Sequence, residues 1–323
     1  MPDARAIPSR VAILLNPRSG HVQRRLPALR RIAASVPEVQ LQEASSPQDI
    51  AQALRDWRAA GPLDLLVVMG GDGTLQAALT ALLQEQAGDL PGLLVVPGGT
   101  TNMSAADFGA RLKPEAALRA LSAWLQGEGA PPKTVERAVL RVESESSRGP
   151  QFGMFFGAGA ILNGVRYFHQ HIRPTGLRGV LGPALAFGRL LLSLLRNQPH
   201  PLLPAMPAHL SAADGDWKSD WLLVLASTLD RLLVGCRPYW GTEQAPVHFT
   251  AIMHRPRRLL RVLPPLLCGR GAAVAHEQDG YISRNLNALS LSGTGDFMLD
   301  GELFQAQEPI RLSATSPLRF LTF

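Results

Sequence analysis

The chain has 323 residues, 46% hydrophobic and 18% charged, and 32 Lys+Arg against 26 Asp+Glu give a formal charge of +6. That is too long for one ordinary domain and too apolar for a disordered chain, and two cysteines cannot staple a disulfide scaffold. The basic balance suits phosphates or an anionic bilayer, whereas 6% aromatic residues argue against nucleic acid as a partner.

Strand, turn and helix alternate through the first third. "RVAILLNP" is a short apolar run stopped by Asn-Pro, and "RLPALRRIAASV" has helical spacing. "VQLQEA" alternates as a strand does, and "PQDIAQALRDWRAA" places Ile50, Leu54 and Trp57 on one helical face. "LDLLVVMG" and "PGLLVVPGG" are unbroken apolar runs ended by glycine, the pattern of parallel strands covered on both faces. "KPEAALRALSAWLQ" is a helix with proline in its first turn. The alternation predicts a Rossmann-like, doubly wound α/β domain over residues 1–130, with a ligand beyond the carboxyl ends of its strands.

Beyond "QGEGAPPK" the texture changes. "TVERAVLRVES", "PQFGMFFGAGAILNG", "DWLLVLASTL", "APVHFTAIMH" and "NALSLSG" read as short antiparallel strands. They predict a β-sandwich or barrel over 131–309, while the closing "SPLRFLTF" within 310–323 returns to the first domain. Helical exceptions are "RPRRLLRVLPPLLCG" and Leu177 to Leu195. The latter holds the most apolar stretch, Val180 to Leu195, which carries Arg189 and falls short of the roughly 20 residues a membrane span needs. The N-terminus lacks a secretory signal pattern. These features predict a cytoplasmic protein, at most peripheral at the inner face of the membrane.

Three strand-ending turns carry the chemistry. Gly70, Gly71 and Gly73 surround Asp72 between a strand and a helix near Thr74, where glycines allow close backbone approach and helix-start N–H groups face an anion. A Walker A loop would need lysine there, and the dinucleotide fingerprint a third glycine at Gln76. A carboxylate beside phosphate calls for a cation between them, so the loop suggests nucleotide with Mg²⁺. Residue types alone also allow a tight turn in which Asp72 caps the helix. "NPRSG" (Asn16, Pro17, Arg18, Ser19, Gly20) and "PGGTTN", with Thr100 and Asn102, end the neighbouring strands in the same way.

"NPRSG", "GGDGTLQ" and "PGGTTN" in series, followed by "LDGELF", resemble the diacylglycerol kinase catalytic-domain family, which includes bacterial soluble lipid kinases and sphingosine kinases, within the NAD kinase–diacylglycerol kinase superfamily. The resemblance extends to "FGMFFGAGAILNG" and "RPRRLLRVLPPLLCGR". It implies an active site in a cleft between the two domains and transfer of the γ-phosphate of ATP to a lipid hydroxyl, diacylglycerol-like by default. Asn16 to Gly20, Ser45, the stretch Gly70, Gly71, Asp72, Gly73, Thr74, Leu75, Gln76 and Ala77, and Thr100 and Asn102 would bind nucleotide. Asp72 would organise metal and triphosphate, and Glu302 of Asp300-Gly301-Glu302 would be the general base. By itself "LDGEL" reads as a hairpin turn. The partners implied are a lipid substrate and an anionic membrane surface, with room for a homodimer. Where many members carry an Asp-Asp-Gly metal segment, this chain has "GTEQAPVHFTAI", and Glu243 is its one carboxylate and the weak metal candidate. Asp107 stands where an acceptor contact is open to question, and is expected to cap or face solvent. His169 and His171 read as a surface pair. An NAD kinase-like enzyme and a non-catalytic lipid- or nucleotide-binding relative remain as alternatives.

Overall fold

A computed structural model describes residues 7–36, 38–85, 89–145, 149–167, 204–306 and 308–323. His169, His171 and the Leu177–Arg196 segment, considered above as a surface pair and as an apolar helix, lie outside the described residues. The chain divides into two compact units, Met1–Arg137 with Ser316–Phe323, and Ala138–Thr315.

In the first unit, β1 (Val11–Leu15), β2 (Val39–Glu43), β3 (Leu65–Gly70), β4 (Gly92–Pro97), β5 (Lys133–Arg137) and β17 (Leu318–Thr322) form one sheet in the order β2-β1-β3-β4-β17-β5. Its pairings are parallel except β17 with β5. Every residue of β1 and β3 is buried, which is why both read as unbroken apolar runs. Val11, Ile13, Leu15, Val67 and Met69 share a cluster with Leu29 of α2 (Leu26–Ala34) and Leu118 and Leu121 of α6 (Pro114–Leu125). Ala12, Leu14, Leu66 and Val68 point the other way and are equally buried. α3 (Pro47–Ala59) and α4 (Asp72–Gln84) pack against each other. α3 starts with a capping box: Ser46 accepts from the Asp49 N–H, and the Asp49 carboxylate accepts from the Ser46 N–H. α4 is buried nearly all round, from Thr74 to Leu79 and again from Ala81 to Leu83, so no polar stripe marks it in the sequence.

The second unit is antiparallel in every pairing recorded among its described residues. Its strands are β6 (Leu140–Glu143), β7 (Gln151–Gly153), β8 (Phe155–Gly159), β9 (Met206–Ala212), β10 (Gly215–Ser227), β11 (Val247–Met253), β12 (Tyr281–Leu286), β13 (Ala288–Ser292), β14 (Phe297–Leu299), β15 (Glu302–Phe304) and β16 (Ile310–Ala314). The path runs β15-β14-β8-β10-β9-β13-β16-β6-β7, with β11 on β10 and β12 on β11. The long β10 belongs to two arms. Gly215 to Trp221 pairs with β9 and Leu223 to Ser227 with β8, while β11 runs along Trp221 to Ser227 with a register shift between Trp221 and Leu223. A shift of this kind bends a strand and turns one sheet over onto itself. Residues of both arms, among them Trp221, Phe249, Phe297, Phe156, Leu140 and Leu210, then enclose one core.

Two segments depart from the sequence reading. "TVERAVLRVES" is not one strand: β5 joins the first sheet and β6 the second, with the break at Ala138-Val139. "AILNG" is not strand but the start of α7 (Ala160–Tyr167), entered through Gly159 at φ +71°. A Cβ at Gly159 would lie 2.6 Å from the Leu222 carbonyl oxygen, so a larger residue could not make this corner.

Candidate functional site

The three turns at the ends of β1, β3 and β4 meet through their backbones. The Asn16 N–H donates to Met69 O at 3.0 Å, the Gly98 N–H to Gly70 O at 2.7 Å, and the His21 N–H to Gly98 O at 2.8 Å. A Cβ on Gly99 would stand 2.5 Å from Gly71 Cα, and one on Gly98 3.1 Å from Gly70 N. These glycines let two loops touch main chain to main chain. The sequence pattern assigns them to a ligand; the structure gives them a packing reason as well. Gly99→Ala is therefore expected to force the loops apart at a cost of about 1–3 kcal/mol, read as a lowered Tm. Gly109→Ala would meet nothing within 4 Å but sits at φ +89°, and serves as a strain control without a clash.

Asp72 is the hub. It opens α4, yet its carboxylate serves α5 (Met103–Asp107). Oδ2 accepts from the Thr101 hydroxyl at 2.8 Å and the Met103 N–H at 2.9 Å, and Oδ1 accepts from the Ser104 N–H at 2.9 Å. Asp72 thus caps a helix 31 residues downstream, rather than its own. Asn102 holds the same loop from within. At φ +48° its side chain accepts from the Gly99 N–H at 2.6 Å and donates to Gly99 O at 2.9 Å. Asn16 donates to the Thr74 hydroxyl at 2.8 Å and accepts from the Arg18 N–H at 2.9 Å, tying the first turn to α4.

Several residues expected at the nucleotide are occupied otherwise. The Leu75 and Ala77 side chains are buried, and buried Gln76 donates to Thr80 within its own helix at 2.9 Å. They support α4 and do not present side chains to a ligand. Ser45 gives its N–H to the Asp49 carboxylate at 3.2 Å and flanks the α3 cap. The Asp49 carboxyl lies below its ordinary range, first through the Ser46 hydroxyl and then through the Ser45 N–H, with the Arg18 charge a lesser contribution. Pro17 lies within the first turn. What is left facing outward is the exposed Arg18 and Thr100, half-buried Ser19, and the N–H groups of Asp72 and Gly73, which have no partner one turn back. Thr100 lies beside Gly20, whose Cβ would be 3.3 Å from its hydroxyl.

Asp107, expected to cap or face solvent, does neither. Its side chain is 2% exposed and pairs with Arg137 of β5 at 3.1 Å, pinning the far end of α5. Neither Asp72's partners nor Arg137 has a local sequence signal, because both contacts span long chain separations.

In the second unit, Asp300 and Gly301 take φ +50° and +89°, and Leu299 pairs with Glu302 across them. This is the two-residue hairpin turn with both centres left-handed that Asp-Gly favours. The buried Asp300 carboxylate accepts from the Met154 N–H at 2.8 Å and the Phe155 N–H at 3.0 Å, anchoring the turn on the β7–β8 corner. Glu302 follows on the short β15 with an exposed side chain. Asp300→Ala is expected to orphan two N–H groups and destabilise the chain by about 2–4 kcal/mol in denaturant titration.

Glu243 is spent on the protein. Burial pulls its carboxyl upward, but the Asn285 N–H at 2.8 Å, its neighbouring backbone and Arg284 hold it below its usual range. No group of three or more His, Cys, Asp or Glu able to hold a metal occurs among the described residues.

The three turns lie within a stretch that matches a known family. Residues 10–128 match the diacylglycerol kinase catalytic domain. The match covers the three turns and ends before the second unit. No curated protein is a significant sequence match. Among solved structures, a diacylglycerol kinase from Bacillus anthracis str. Sterne superposes with TM-score 0.63 at 12% identity, covering 98% of each chain. A second protein of that organism, assigned the same activity, gives 0.69 at 14% with the same coverage. At such identities the likeness establishes the shared diacylglycerol kinase fold, an α/β domain followed by an antiparallel β domain. The matched domain is a kinase catalytic domain, and phosphoryl transfer is its class of chemistry.

Proposed function

We propose that the chain is an ATP-dependent lipid kinase that moves the γ-phosphate to the hydroxyl of a lipid alcohol, diacylglycerol-like by default. The observation that carries this reading is the meeting of three glycine-bearing turns at one edge of a parallel sheet, with the Asp72 and Gly73 N–H groups at the start of α4 unpaired among the described residues. Such an edge suits a triphosphate: backbone N–H groups and the positive helix end face anions, and Ser19, Thr100 and Arg18 add hydroxyls and a cation.

The donor set also fits a Mg²⁺ carried by the nucleotide. Asp72 Oδ1 accepts one hydrogen bond and keeps a lone pair, and Mg²⁺ commonly takes one or two carboxylates beside phosphate oxygens and waters. When bound, the ion neutralises charge on the phosphates. The remaining work belongs to the chain. The turns orient the triphosphate, Asp72 fixes the Thr101–Ser104 loop beside it, and Glu302 accepts the proton of the attacking hydroxyl at a carboxylate oxygen. Because the transition state is loose, positioning and charge neutralisation account for most of such catalysis.

A second reading, nucleotide binding without turnover, draws on one observation: three hydrogen bonds already occupy Asp72. ADP release by the purified chain, measured with dispersed diacylglycerol, with NAD and with neither, separates the readings. Release stimulated by lipid supports the kinase reading. Stimulation by NAD alone points to an NAD kinase, and binding of ATP without release in any arm to a binding protein.

A further inference from the structure

The second unit contains a basic and apolar surface that the proposed phosphoryl transfer does not use. It is built from α8 (Leu259–Leu267) and the 231–240 segment, joined where the Arg237 N–H donates to Leu267 O at 2.9 Å. Gly269 lies against the same arginine, its Cβ position 3.4 Å from Arg237 Cβ.

Three observations set this region apart. First, neither 231–240 nor 254–270 contains an Asp or Glu, while they hold two and five arginines. Arg237, Arg258, Arg261 and Arg270 are exposed and have no ion pair among the described residues; the bordering acid Asp279 lies 3.9 Å from Arg257, and Asp230 faces His248 at 3.9 Å. Second, the helix is apolar on its outer side too. Val262 and Leu266 fill the core, yet Leu260 is 50% exposed and Pro264 is exposed. Third, Val234 is 73% exposed at φ +59°. A β-branched residue in the left-handed region is strained, and glycine would relieve it. Its short loop is closed by Leu232 N–H to Cys236 O at 2.7 Å, so the side chain is held outward by a defined turn.

We propose that α8 and the Leu232–Arg237 loop form a docking surface for an anionic lipid bilayer, with Val234 and Leu260 entering the interface and the arginines meeting headgroup phosphates. Unpaired arginines around exposed aliphatic side chains match the two components of interfacial binding, apolar burial and attraction to anionic lipid. A second copy fits poorly, because a two-fold contact would set these arginines against themselves. Nucleic acid fits poorly because the outward apolar groups are aliphatic and offer no base-stacking ring.

The test is co-sedimentation of the full chain, without ATP, with vesicles of phosphatidylcholine alone and of phosphatidylcholine mixed equally with phosphatidylglycerol. Binding is expected to the mixed vesicles only, and to fall as salt rises. Arg261→Gln with Arg270→Gln should weaken it about 25-fold, roughly fivefold per arginine. Val234→Gly should weaken binding while leaving Tm unchanged or higher, which a folding defect could not do. Equal binding to neutral vesicles, or wild-type binding by these variants, would overturn the proposal. So would a dimer lost in Val234→Gly without vesicle binding, or retention of duplex DNA but not vesicles. Because no nucleotide or turnover enters, the result is independent of the kinase reading.

Discussion

Replacing Glu302 with glutamine is expected to lower phosphoryl transfer to a lipid alcohol about 10³-fold, within the usual range for loss of a general base. ATP affinity and Tm should stay at wild-type values. The substitution keeps shape, and the side chain is exposed and makes no hydrogen bond among the described residues, so folding does not depend on its charge. What holds it is the turn before it. Asp300 fastens to Met154 and Phe155, and Asp300-Gly301 adopts the tight left-handed pair. Steady-state kinetics with saturating lipid, beside ATP titration of the same variant, checks the point. A fall in ATP affinity equal to the fall in rate would assign Glu302 to nucleotide binding instead.

The second large effect is at Asp72. Asp72→Ala removes three accepted hydrogen bonds, two of them from the first N–H groups of α5. Allowing for its partly solvated setting, a loss of about 2 kcal/mol is expected, or about 5 °C in Tm. Nucleotide affinity should drop together with stability, because the Thr101–Ser104 loop loses its anchor. Asparagine is not a mild substitute here. Met103 and Ser104 donate to different carboxylate oxygens, so one N–H would face the amide NH₂ group. Asp72→Asn should therefore resemble Asp72→Ala in Tm more than wild type, and a melting curve of each variant decides it. Wild-type stability in Asp72→Asn would mean that the α5 cap carries little energy.

The parallel sheet was legible because strands buried on both faces must be apolar throughout, and "VAILL" and "LLVVMG" are. The turns were legible because only glycine permits close backbone approach at Gly71 and Gly99. What approaches was not legible. A glycine records that something comes near, without saying whether it is a phosphate or another loop. The same limit hid Asp72's partners and the Asp107–Arg137 pair, since contacts across many residues leave no periodic trace. Gln76 came to the nucleotide set only through the family resemblance, and its side chain is buried in α4, where it donates to Thr80. "TVERAVLRVES" reads as one strand although it is two, because alternation shows that strands exist, but a crossing between sheets needs only two residues, Ala138 and Val139.

The most direct measurement is to incubate the chain with ATP labelled at the γ-phosphate and a total lipid extract, then separate the lipids. Label is expected in a phosphorylated lipid alcohol, and to vanish in Glu302→Gln. Label reaching NAD, or no acceptor while ATP remains bound, would contradict the account.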